Sequence, residues 1–137
     1  MRSRRKRTLK VGIGGLGAIG LPVARWLASK PPGLRLAAVS ARDRARAAKR
    51  LAAAGIKAPV RGLDELAKSC DVVVECLPSA AFDALVVPAV RLGRIVIVLS
   101  LWVALSHEES LPSLRGSNQW NANREKLNGV VQLICGV

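Results

Sequence analysis

Two rhythms of hydrophobic and polar positions alternate along the first hundred residues. Residues 9–13 form a short β-type run that ends in Gly14 and Gly15, and from residue 18 to 29 the apolar positions recur at helical spacing. Pro22 falls about a turn inside that segment, where it deletes one backbone bond and predicts a mild kink. Pro31, Pro32 and Gly33 end it. Residues 34–39 read as a second buried strand, Asp43 as the N-cap of a second helix through residue 54, and Gly55 as its terminator. Alanine dominates that helix, with Leu51 as its single large apolar residue, which predicts close packing on a sheet.

A short strand near residues 58–60 and a brief helix around 64–68 follow. Asp71 precedes Val72, Val73 and Val74, the clearest buried strand of the chain, which stops at Pro78. Ser79 is placed to cap a helix running to about residue 92 with Pro88 inside it. Residues 95–99 are apolar without interruption, the pattern of a strand covered on both faces. Because each parallel strand pair requires a long crossover, this order predicts an α/β fold: a doubly wound parallel sheet in a single domain. Beyond residue 104 the character changes. Ser106 and Glu109 form a capping box for a helix through residue 114, a polar stretch follows, and residues 130–135 suit one last strand. The expected division is a basic disordered tail over 1–10, the folded domain over 11–104, and a helix with a less patterned segment over 105–137.

Length and composition narrow the function. A chain of 137 residues, 50% hydrophobic and 23% charged, fits one globular core. Of the net charge of +13, the first ten residues hold six basic side chains and no acid, which leaves +7 on the rest. That balance favours anionic ligands without choosing between a phosphorylated cofactor and a nucleic acid. The aromatic content of 3%, with no tyrosine, argues against the stacking platforms of single-strand nucleic-acid binders. Cys70, Cys76 and Cys135 are odd in number and show no C-x-x-C spacing, so reduced thiols and a cytoplasmic location are expected rather than disulfides or zinc. The apolar stretch 95–105, broken by Ser100, is shorter than the roughly 20 residues of a spanning helix, and no export signal is expected at the amino terminus.

The chemistry concentrates at Gly15-Leu16-Gly17-Ala18-Ile19-Gly20, a G-x-G-x-x-G between a strand and a helix. In that context the expected ligand is a pyridine dinucleotide on a Rossmann-type domain. Gly15 permits the tight turn, Gly17 has no Cβ to block a diphosphate, and Gly20 lets the helix approach the strand. The phosphates then face the free N–H groups of Gly17, Ala18 and Ile19, where the helix dipole presents about half a positive charge.

About twenty residues past the glycines, where an acid would accept the ribose 2′-OH of NAD, stands Ser40. With Arg42 it offers a hydroxyl and a guanidinium, suited to a 2′-phosphate, so NADP is favoured over NAD. Asp43 is the alternative: one residue of misregister turns a carboxylate towards the ribose. The loop Cys76-Leu77-Pro78 closes the strongest strand and should border the nicotinamide half, with Ser100 nearby at the end of the next strand. Cys76 has no cationic partner near it in sequence and reads as a small hydrophobe rather than a nucleophile. His107, the single histidine, reads as a surface residue at a helix start.

The run Val11 to Gly20, the run Asp71 to Pro78, and residues 95–100 leading to Leu105-Ser106-His107 together resemble the amino-terminal half of aspartate dehydrogenases. The resemblance covers about residues 8–115. It implies oxidation of L-aspartate with NAD or NADP to iminoaspartate, which hydrolyses to oxaloacetate and ammonia or feeds pyridine-nucleotide synthesis. It places the family's glycine loop on Gly15, Gly17, Ala18, Ile19 and Gly20. Two departures accompany it: Ser40 stands where members using NAD carry an acid, and the family's carboxy-terminal α+β domain, with its catalytic histidine, has no expected counterpart here.

Two classes of function stay open from sequence. One is a dehydrogenase of the aspartate type that needs a second domain or a partner to complete the amino-acid site. The other is a catalytically silent nucleotide-binding module. The cofactor domain of a different two-domain oxidoreductase is a third reading, and a basic nucleic-acid binder acting through residues 2–10 a fourth. A parallel sheet without a covering domain predicts self-association through exposed apolar surface.

Overall fold

The computed structural model describes residues 7–100. Five strands form one sheet: β1 (Leu9–Gly14), β2 (Leu34–Ser40), β3 (Val60–Arg61), β4 (Val72–Glu75) and β5 (Ile95–Val98). Between them run α1 (Gly20–Ala28), α2 (Arg44–Ala53), α3 (Leu63–Ser69) and α4 (Ser79–Arg91). The sheet order is β3-β2-β1-β4-β5 and each pairing is parallel. This is the doubly wound Rossmann-type arrangement that the sequence predicts. The chain turns from one side of β1 to the other at β4, so the carboxyl ends of β1 and β4 form the switch point where such sheets bind ligands.

Strand alternation divides the core into two layers. Val11, Ile13, Val39, Val72 and Val74 pack with Ala24, Leu27 and Leu51 of α1 and α2. Val73 and Ala38 point the other way, onto Leu66 and Cys70 at α3 and Phe82, Leu85 and Val86 of α4. Gly12 sits under this second layer, where a Cβ would lie 2.6 Å from the Cys70 sulfur and 2.8 Å from Leu66. Arg94 ties the layer to β5 by donating to the carbonyls of Ala67 and Lys68.

Several local expectations change. Helix α1 begins at Gly20 rather than residue 18, so Pro22 lies in the first turn. The bonds on either side of it, Leu21 N–H to the Gly17 carbonyl and Val23 N–H to the Ile19 carbonyl, are made, so Pro22 deletes the one bond to the Ala18 carbonyl between them. The strand β1 takes in Leu9 and Lys10, so the sheet starts inside the stretch assigned to the basic tail. Asp43 caps α2 as expected, its carboxylate accepting from the Arg46 N–H at 2.9 Å, and Gly55 adopts φ 70° after it. The alanines of α2 do not line the sheet, however: only Ala47 and Leu51 are buried, while Ala45, Ala48, Ala52 and Ala53 face solvent. Ser79 is the first residue of α4 and makes no side-chain cap; Pro78 takes the cap position. The strand β5 is an edge strand with Ile95 exposed, so among the described residues its apolar run is not covered on both faces. The capping box at Ser106 and Glu109, His107, Cys135 and the strand expected at 130–135 lie outside the described residues.

Candidate functional site

The glycine turn is held from two sides. The N–H of Gly15 donates to the Ser40 carbonyl at 2.8 Å, and the N–H of Cys76 donates to the Gly14 carbonyl at 2.8 Å, so the ends of β2, β1 and β4 are fastened together. Gly15 adopts φ 95°, and a Cβ on it would meet the Cys76 carbonyl oxygen at 2.5 Å. A Cβ on Gly20 would run into the Gly15 carbonyl. Conformation and packing therefore require glycine at both positions.

Gly17 differs. A Cβ there would have no protein atom within 4 Å, and its φ lies outside the left-handed region. Neither strain nor packing in the protein calls for glycine, and the residue faces open space on a cleft. Among the described residues no group accepts from the N–H groups of Gly17, Ala18 or Ile19. Three donors at a helix start, with clear space in front of Gly17, fit a diphosphate.

That cleft, about 910 Å³, brings most of the sequence-derived residues together. Gly15, Gly17, Ser40, Arg42, Cys76, Leu77 and Pro78 all line it. Ser40 is 4% exposed, and Arg42 and Asp43 stand exposed just beyond the carboxyl end of β2. Ala18, Ile19, Gly20 and Ser100 are not among its walls. Ser100 turns instead to Glu75, donating its hydroxyl to the carboxylate Oε2 at 2.5 Å.

Sequence reasoning passed over two residues. Glu75 ends β4 fully buried, and its Oε1 accepts from the Leu77 N–H at 2.7 Å, which fixes the loop Cys76-Leu77-Pro78 over the cleft. Its signal was a lone carboxylate closing an otherwise valine strand. Arg50 of α2 donates from Nη1 to the Leu16 carbonyl, 2.9 Å away, inside the glycine turn. Its signal was weaker: Arg46 and Arg50 sit four apart, directly beside the buried pair Ala47 and Leu51. For Cys76, burial and then the neighbouring Glu75 push the thiol up to about 11, the opposite of an activated nucleophile.

Residues 15–124 match the family model described as the NAD-binding domain of homoserine dehydrogenase. The chain belongs to this family of NAD-binding domains. The sequence is 42% identical over 105 residues to L-aspartate dehydrogenase 3 of Bordetella bronchiseptica, a match that covers 76% of this chain and 39% of that protein. It is 41% identical over 95 residues to the L-aspartate dehydrogenase of Bradyrhizobium diazoefficiens, covering 68% of this chain and 33% of the relative. The chain thus spans between a third and two fifths of the length of these relatives. Among solved structures, apo scyllo-inositol dehydrogenase of Lactobacillus casei superposes with a TM-score of 0.60 at 22% identity, over 76% of this chain and 33% of that one. The same enzyme with bound NAD(H) gives 0.57 at 24% identity, over 67% and 28%. These structural matches carry the fold. The NAD-binding domain is like that of aspartate dehydrogenases, and its ligand is a pyridine dinucleotide.

Proposed function

We propose that the chain is the cofactor-binding domain of an aspartate dehydrogenase-type oxidoreductase acting in the cytoplasm, with NADP preferred over NAD. The observation that carries the reading is Gly17, a glycine that nothing in the protein requires, facing a cleft beside three free N–H donors. Those of Gly17, Ala18 and Ile19 would receive the diphosphate, with Gly15 and Gly20 shaping the turn. Ser40 and Arg42 would meet the adenosine ribose, and Cys76, Leu77 and Pro78 would border the nicotinamide. When bound, the nicotinamide supplies the hydride acceptor for the α-carbon of an amino acid.

The NADP preference is supported by charge. Among the described residues Asp43 is the single acid on the cleft walls, and its carboxylate is engaged by the Arg46 N–H. Arg42, Arg44 and Arg46 share that end of the cleft. A 2′-phosphate would meet three guanidinium groups there against the one capping carboxylate of Asp43. Exposed Leu92 and Ile95, beside the β5 edge, support self-association.

A second reading, a domain that binds dinucleotide without turnover, is favoured by one observation. Among the described residues there is no histidine, and no second acid stands on the cleft walls to act as a general base. Side-by-side titration with NADPH and NADH tests the cofactor reading. Tighter binding of NADPH is expected, with Ser40→Asp reversing the order, and calorimetry silent towards both ends the proposal. Steady-state turnover of L-aspartate with NADP separates the two readings, since activity of the chain alone removes the second.

A further inference from the structure

The carbonyl groups of the glycine turn are largely consumed within the protein. Gly14 accepts from the Cys76 N–H, Gly17 from the Leu21 N–H and Ile19 from the Val23 N–H. Leu16, between the two cleft-facing glycines, has its carbonyl covered by a side chain from 34 residues away, the Arg50 guanidinium. An uncovered carbonyl at Leu16 would bring partial negative charge to the place where a diphosphate must come, and the Leu16–Gly17 peptide, between the Gly15 N–H bond to Ser40 and the Leu21 N–H bond to Gly17, has no backbone bond of its own to hold its orientation. Arg50 removes both problems. Its bond to Leu16 uses one of five N–H donors, and the residue lines the same cleft, so its positive charge stays beside the turn.

We infer that Arg50 is the positioning residue for diphosphate binding: its bond to the Leu16 carbonyl sets the glycine turn and adds a fixed positive charge at the diphosphate end of the cleft. This rests on the dinucleotide reading above and extends it, because Arg50 acts on the part that NAD and NADP share. Arg42 acts on the ribose substituent in which they differ. The fork geometry matters as well as the charge, since a lysine in place of Arg50 keeps the charge but reaches the carbonyl without the planar donor set.

The test measures dissociation constants of the full chain for NADH and NADPH in wild type, Arg50→Gln, Arg50→Lys and Arg42→Gln, with circular dichroism to verify folding. Arg50→Gln is expected to weaken both cofactors about tenfold or more and by the same factor, with partial recovery in Arg50→Lys, while Arg42→Gln weakens NADPH alone. A purely structural role for Arg50 would lower the melting temperature and leave both constants of the folded variant unchanged, which overturns the inference. A loss confined to NADPH also overturns it, because Arg50 would then read the 2′-phosphate. Should Arg50→Gln fail to fold, Arg50→Lys decides: unchanged constants refute the role and a common loss supports it. A wild type that binds neither nucleotide removes the dinucleotide reading and this inference together, whereas a binding wild type with indifferent Arg50 variants removes only the inference.

Discussion

The Ser100 hydroxyl donates to the buried Glu75 carboxylate at 2.5 Å, which joins the carboxyl ends of β5 and β4 directly beneath the loop that borders the cleft. The other carboxylate oxygen holds the Leu77 N–H. Glu75→Ala should therefore leave two part-buried donors without their acceptor, at a cost of about 1 kcal/mol for each. Glu75→Gln keeps an acceptor for Leu77 and should lose less. Urea unfolding of the two variants and of Ser100→Ala, which should fall between them and wild type, checks the order.

Two glycines of one motif should behave oppositely. Gly15→Ala places a side chain at positive φ against the Cys76 carbonyl and should destabilise the fold by about 1–2 kcal/mol from the backbone conformation alone, with the clash added. Gly17→Ala meets open space and should unfold at the wild-type urea concentration while binding dinucleotide at least about tenfold more weakly. Equal stability losses in both variants would refute this division of roles.

Asp71, directly before β4, ties that strand to Lys10 of β1 and to Arg7 ahead of it. The Lys10 backbone N–H, which donates to its carboxylate at 2.9 Å, and then the Arg7 guanidinium hold the carboxyl below its ordinary 3.8. A lowered value in the folded state means the stabilisation is fully present above the unfolded value and is lost as pH falls through the folded one. Wild type should thus lose more thermal stability than Asp71→Asn between about pH 5 and pH 2. Parallel melting curves for the two proteins across that range would disprove the linkage.

Cys76 lines the cleft but should be inert. With its thiol pushed up to about 11, the thiolate is scarce near neutrality, and site-mapped iodoacetamide labelling should climb about tenfold per pH unit up to that value. Cys76→Ser should keep cofactor binding. Labelling that levels off near pH 8 would show an ordinary or activated thiol instead.

Local physics explains why so much was legible in advance. Runs such as Val72-Val73-Val74 and the Asp43 cap announce their elements because burial and capping act over a few residues, and the G-x-G-x-x-G spacing announces a ligand because Gly17, unlike Gly15, has no use within the protein. Those signals placed seven of the named residues in one cleft. They failed where the answer depended on distant partners. Nothing near Ser100 in sequence announces that its hydroxyl donates to Glu75, 25 positions away. The alanines of α2 looked like packing residues because composition does not reveal which face of a helix meets the sheet.

The sequence by itself determined the alternation of strands and helices, the glycine turn and the absence of an acid at Ser40, since each follows from the preferences of near neighbours. Only the tertiary structure decided that Arg50 reaches the Leu16 carbonyl, that Glu75 anchors the loop after β4, and that β5 lies at an edge of the described sheet. These are contacts between residues far apart in sequence, and pairing in space is set by how the layers close on one another rather than by the order in which residues are joined.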